Sequence, residues 1–149
     1  MKRKFLCLLL ALCLLVSVLP AQIHAAGSSG SCGENVTWAF DAATGTLTLS
    51  GTGSTYDYRD GGPTEWKEFR NRIRSIEVKP GVTGLGTSIF DRCVNAETVT
   101  LHEGLKTIGM FAFWHCDSLT ELVIPASVRY IGASSFGSNE NLNKVTFLG

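Results

Sequence analysis

Apolar positions recur with a fixed phase over the second half of this chain. From Ile76 the segment IEVKPGVTGLGTSIFDRCVNAET is followed by VTLHEGLKTIGMFAFWHCDSLTE and LVIPASVRYIGASSFGSNENLNK, and VTFLG opens a further copy. The copies begin at Ile76, Val99, Leu122 and Val145, a step of 23 residues each time without a gap. A fixed period in this range marks a solenoid, in which no copy buries its apolar face alone and each stacks on its neighbours. The first and third positions are apolar in every copy: Ile76 and Val78, Val99 and Leu101, Leu122 and Ile124, Val145 and Phe147. Short β-branched alternation of this kind predicts a strand with one face toward a core. Strands at the same phase would stack as a parallel sheet about 4.8 Å apart.

Other positions carry further expectations. The seventh and tenth are apolar: Val82 and Leu85, Leu105 and Ile108, Val128 and Ile131. The eleventh is always glycine (Gly86, Gly109, Gly132), which predicts a turn with positive φ. The fifteenth is always phenylalanine (Phe90, Phe113, Phe136), which predicts a stacked aromatic spine. The eighteenth runs Cys93, Cys116, Asn139.

The preceding block obeys a different rule. Val36, Trp38 and Phe40, then Leu47 and Leu49, alternate with polar or small residues around Gly45, which predicts a β-hairpin with one apolar face. The open N-terminal end of the solenoid is the expected seat for that face, since terminal units of such arrays need a cap. GTGSTYDYRDGG, residues 51–62, reads as a loop. A short helix is expected from Pro63 to about Arg72, because Pro63 suits the first helical position, Glu65 the first turn, and Trp66, Phe69 and Ile73 fall at helical spacing.

Met1 to about Ala26 has the form of a secretory signal peptide. Lys2, Arg3 and Lys4 precede a nearly unbroken apolar run from Phe5 to Leu19, and AQIHAAG supplies small residues for cleavage after Ala25 or Ala26. The expected organisation is therefore a signal peptide (1–26), a flexible linker (27–31), an N-terminal cap (32–75) and repeats (76–149). No polar cap follows the last strand, so either the natural protein is expected to continue or the last strand edge to pair with a partner or a second copy.

The repeat layout is that of leucine-rich repeats, and LKTIGMFAFWHCDSLTELVIPASV and VRYIGASSFGSNENLNKVTF resemble the BspA-type leucine-rich repeats of bacterial surface proteins. The first copy departs from the pattern in VTGLGTSIF and at Ala96, as a copy bordering a cap does. The resemblance implies an α/β solenoid of about three repeats, secreted or displayed at the cell surface, that binds a protein or glycan partner without catalysis. The alternative is a structural spacer in a larger surface protein whose activity lies downstream.

Charge and candidate chemistry narrow this further. The leader removes three of the 13 basic residues and none of the 13 acidic ones, leaving a mature chain of about −3. That argues against nucleic acid as a partner. Cys93 and Cys116, one repeat apart, would stack within disulfide reach, but their side chains would point the same way, and a buried thiol ladder is the expected reading. Cys32 brings the mature count to three. No Cys-x-x-Cys or His-x-x-x-His spacing points to zinc, and Asp57, Asp60 and Glu65 do not follow a calcium-loop pattern. His102 and His115 both occupy repeat positions with a structural reading, so no catalytic set, metal site or cofactor is expected. What remains is the outward face of the strands: Glu77, Lys79, Thr98, Thr100, His102, Glu121, Val123, Lys144 and Thr146. It is mixed, small and polar, and is the candidate binding surface. Tyr56, Tyr58 and Trp114 are alternative contacts if exposed.

Overall fold

A computed structural model describes residues 28–59 and 61–149; the expected signal segment, Gly27 and Asp60 lie outside the described residues. The chain forms β1 (Ser28–Ser31), β2 (Val36–Asp41), β3 (Thr46–Gly51), β4 (Gly53–Ser54), β5 (Ser75–Val78), β6 (Val82–Leu85), β7 (Thr98–Thr100), β8 (Thr107–Ile108), β9 (Glu121–Ile124), β10 (Tyr130–Ile131) and β11 (Lys144–Phe147).

Each coil has three sides. The first is built from β5, β7, β9 and β11. β5 pairs parallel with β7 with Ile76 opposite Val99, and β9 pairs parallel with β11 with Leu122 opposite Val145. Every pairing advances by the 23 residues of the sequence period. The second side is a parallel sheet in the order β10-β8-β6-β4, held by the seventh-to-tenth positions. On the third side alternate N–H groups donate to the next coil: Ser88 to Met110 O, Phe90 to Ala112 O and Arg92 to Trp114 O, at 2.8–2.9 Å. One coil on, Phe111, Phe113 and His115 donate to Ala133, Ser135 and Gly137 in the same way.

The core lies between the three sides. Ile76, Val78, Leu85, Ile89, Phe90, Leu105, Ile108, Phe113, Leu119, Leu122 and Ile124 are buried. The expected phenylalanine spine is present: ring centroids are 5.1 Å apart from Phe90 to Phe113 and 5.9 Å from Phe113 to Phe136. Trp66 extends it toward the N-terminus, 6.5 Å from Phe90. Phe147 is less enclosed than its counterparts, 58% exposed, because no further coil covers it among the described residues.

Several expectations need correction. The eleventh-position glycines do not have positive φ; the left-handed positions outside glycine are Ser88, Arg92, Phe111, His115, Ser134 and Ser138, at the same two places in each coil. Gly86, Gly109 and Gly132 are instead points of close approach. A Cβ on Gly109 would lie 2.5 Å from Gly86 C, and one on Gly132 2.5 Å from Met110 N. The glycines let the coils touch backbone to backbone.

The cap also differs from expectation. The hairpin sits at the N-terminal end of the solenoid, as expected, but by pairing: its second strand joins the first side edge-on. β3 pairs parallel with β5, Leu47 opposite Ile76 and Leu49 opposite Val78, and β2 pairs antiparallel with β3. Backbone pairing satisfies the β5 edge, while Trp38 and Phe40 close the core against Phe69, at 5.6 and 4.4 Å between ring centroids. The expected linker at 27–31 is replaced over Ser28–Ser31 by β1, antiparallel to β2, which occupies what would otherwise be an unpaired edge. Its small side chains fit there, since Gly30 lies against the Trp38 indole. The expected loop at 51–62 contains β4, which pairs with β6, and Tyr58 N–H donates to Thr87 O as a repeat residue would.

The expected helix over 63–72 is not formed, and the described residues contain no α-helix. The segment is a series of i+3 to i turns, Lys67 to Thr64, Phe69 to Trp66 and Arg72 to Phe69, ending in a single 3-10 turn at Arg70–Arg72. Arg70 is buried and its guanidinium donates to Pro63 O at 3.1 Å, which draws the segment into a tight loop around Trp66.

Candidate functional site

The outward positions of the first side form one surface. Alternation puts Ile76, Val78, Leu122 and Ile124 inside, leaving Glu77 half-buried and Thr98, Thr100, Glu121, Val123 and Lys144 exposed, with Thr146 half-buried. Opposite charges on this surface sit together. Lys79 Nζ contacts Glu77 Oε1, and Lys144 Nζ lies 3.8 Å from Glu121 Oε2. Thr98 donates to Ser75 Oγ at 2.9 Å across neighbouring coils. Exposed pairs of this kind contribute roughly 0–1 kcal/mol each. They also leave the face without a dominant sign, so it lacks the charge that would steer an ionic partner. Val123, 45% exposed, places an apolar contact among these polar groups.

His102 belongs to the surface less than expected. It follows β7, where alternation has ended and the chain is turning; its Nε2 is enclosed and has no hydrogen-bond partner among the described residues. Tyr56 is 50% exposed, whereas Tyr58 is half-buried and burial pushes its phenol up. Asp57 is engaged locally, its Oδ1 accepting from Thr87 N at 2.7 Å.

The surface is larger than the repeat positions suggested. Because β3 continues the sheet, Thr46, Thr48 and Ser50 extend it, followed by Thr37, Ala39 and Asp41 of β2. A signal was available: TLTL in β3 has the same polar-apolar phase as SIEV in β5. Asp41 also shapes the hairpin turn, accepting from Ala43 N–H and the Thr44 hydroxyl, and these bonds hold its carboxyl below the usual carboxylate range.

The cysteines lie away from this face and are unpaired: Cys32, Cys93 and Cys116 are all buried free thiols. Cys116 Sγ donates to Phe90 O at 3.4 Å. One coil on, Asn139 Nδ2 takes the same role on Phe113 O at 3.0 Å, and its Oδ1 accepts from Cys116 N. The eighteenth position thus ties each coil to the one before. Burial pushes Cys32 and Cys93 up to about 12 and Cys116 well above the ordinary thiol value. A folded state that keeps protons the unfolded chain releases is destabilised as pH rises. Stability is therefore expected to be flat below about pH 8.5 with respect to these groups and to fall above it. The Cys93→Ala variant is expected to fall less steeply, as read by thermal melts between pH 7 and 10. A thiol reagent at neutral pH should label none of the three until denaturant is added.

Similarity to known proteins agrees with this geometry. The family described as BspA type leucine rich repeat region (6 copies) matches residues 67–149, more than half of the chain. No curated protein matches the chain. Among solved structures, a leucine-rich repeat protein from Bacteroides capillosus is 25% identical, with a TM-score of 0.52, over 82% of this chain and 99% of that one. A leucine-rich repeat protein from Eubacterium ventriosum is 24% identical, with a TM-score of 0.56, over 81% of this chain; the chain spans 44% of that protein's length. With its 23-residue coils and its match over most of the solenoid, the chain belongs to the BspA-type leucine-rich repeat family.

Proposed function

We propose that this protein is a non-enzymatic binding module, secreted or displayed at the bacterial surface, that holds a protein or glycan partner against the outward face of its first side. The observation that carries this reading is the continuity of that face from β2 through β3 and β5 to β7, with β9 and β11 extending the same side. It is a broad surface of small polar groups with balanced charge. Such a surface suits many modest contacts spread over an extended partner. The apolar leader expected at the N-terminus supports export. The edge of β11 that has no partner among the described residues offers a second mode, pairing with a strand of another copy.

The test is adhesion of beads coated with the secreted chain to host cells and to immobilised matrix protein. A variant with alanine at Glu77, Thr100, Glu121 and Lys144 is expected to lose most of the adhesion, tenfold or more, with an unchanged melting temperature. Full adhesion by a stable variant would remove this face from the mechanism and favour the spacer reading.

A further inference from the structure

The second coil differs from its neighbours on the third side. At the thirteenth, sixteenth and seventeenth positions the first coil carries Ser88, Asp91 and Arg92, and the third carries Ser134, Gly137 and Ser138. The second carries Phe111, Trp114 and His115. Phe111 and His115 both have φ 54, in the left-handed region that a bulky side chain disfavours. Serine meets the same backbone requirement at the thirteenth position of the other two coils, φ 55 at Ser88 and 53 at Ser134, so the fold does not need an aromatic there. The backbone conformation belongs to every coil, whereas the aromatic side chains at these positions belong to the second alone.

The aromatic groups are arranged together. Phe111 and Trp114 meet edge to face at 5.2 Å, and Trp114 and His115 at 5.5 Å. Trp114 lies across Gly137, where a Cβ would come within 2.1 Å of the indole ring. Gly137 is the bare floor beneath that ring, and the exposed Ser134 and Ser138 flank it in sequence. Phe111, Trp114 and His115 are all half-buried, more open than the buried Trp38 and Trp66. Asp117 completes the cluster: its Oδ1 is enclosed without a hydrogen-bond partner, 3.7 Å from His115 Nδ1.

The geometry points to a saccharide-binding ridge on the third side of the second coil, with Trp114 as the platform for one face of a neutral sugar ring. A pyranose offers an apolar C–H face and a rim of hydroxyls. Partly exposed aromatic rings suit the first, since such rings combine an apolar body with a polar edge. His115 and the hydroxyls of Ser134 and Ser138 suit the second, with Asp117 Oδ1 set behind the imidazole, 3.7 Å from His115 Nδ1. The Asp117 carboxylate favours a neutral sugar over an anionic one. The ridge shares no residue with the strand face, so it stands or falls separately from that reading.

Trp114 also provides the readout, because it is the one tryptophan of the described residues that is not buried. Acrylamide quenching of the secreted chain should report on it almost alone. The probes are cellohexaose, xylohexaose, mannohexaose and chitohexaose. At least one is expected to protect the fluorescence saturably, with affinity weakened at least tenfold in both F111S and D117N. F111S uses the residue of the neighbouring coils, and its melting temperature is expected to hold or rise; a purely structural role for Phe111 would lower it. Protection by none of the four sugars, or undiminished protection in a folded F111S variant, would overturn the assignment.

Discussion

Gly109→Ala is expected to destabilise the protein by about 3 kcal/mol, a lowering of the melting temperature by roughly 10 °C. The added methyl would sit 2.5 Å from Gly86 C and 2.6 Å from Thr87 N. Both are backbone atoms of the adjacent coil, so no side-chain rotation can relieve the overlap. The two coils would have to separate, and separation strains the Gly109 N–H to Leu85 O bond, 2.7 Å long, and the Phe90–Phe113 contact beside it. Gly104→Ala is the informative contrast. Gly104 has φ +101 and nothing within 4 Å of a Cβ, so only backbone strain of about 1 kcal/mol applies. Thermal melts of the two variants separate close approach from conformational freedom. Equal losses would mean that the repeat glycines are not the contact points between coils.

Phe113→Ala is expected to cost about 4 kcal/mol. Phe113 is fully buried and has a ring neighbour on each side, Phe90 at 5.1 Å and Phe136 at 5.9 Å. Its removal would leave a cavity bounded by backbone that the coil-to-coil bonds hold in place, which limits collapse. Phe136 has one such neighbour and is half-buried, and Phe136→Ala is expected to cost about 1–2 kcal/mol. A domain of this size has about 5–15 kcal/mol of stability in total, so the Phe113 variant should be visibly fragile in urea titrations while the Phe136 variant remains folded.

The repeat was legible because its constraints recur at one spacing. Identical apolar positions at Ile76, Val99 and Leu122 are required by identical coils, and alternation along each strand then assigns the outward face. The cap obeys no such period. Leu47 pairs with Ile76, 29 residues on, whereas Trp66 meets Phe90 only 24 residues on. Its strands announced themselves by alternation, but nothing in the spacing placed β3 at the edge of β5. The residues 63–72 misled for a related reason. Trp66, Phe69 and Ile73 satisfy helical spacing, yet they serve as well in successive tight turns once Arg70 is drawn inward to Pro63 O.

A fixed-phase glycine likewise has two physical causes, positive φ and close approach, and sequence does not separate them. In this chain the two causes fall on different glycines: Gly81 and Gly104 have positive φ, while Gly86, Gly109 and Gly132 are contact points between coils. The strand face was readable except at His102, whose position after β7 removes it from the alternation. The ridge around Trp114 was visible only as a half-recognised aromatic. Its floor at Gly137 lies in the next coil, and only the stacked structure brings the two together.

Cap and repeats form one continuous stack through β3 and β5, and a hinge between them would divide the face on which the proposed function depends. Amide hydrogen exchange tests this most directly. Lys79 N–H donates to Leu49 O at 2.9 Å across the cap–repeat boundary, and Gly109 N–H donates to Leu85 O between repeats. Protection of Lys79 and of the β3–β5 amides is expected within about tenfold of that at Gly109, lost together under rising denaturant as one cooperative unit. Exchange at the β3–β5 boundary a thousandfold faster than within the repeats would contradict that continuity, and would make the cap a separate, mobile element.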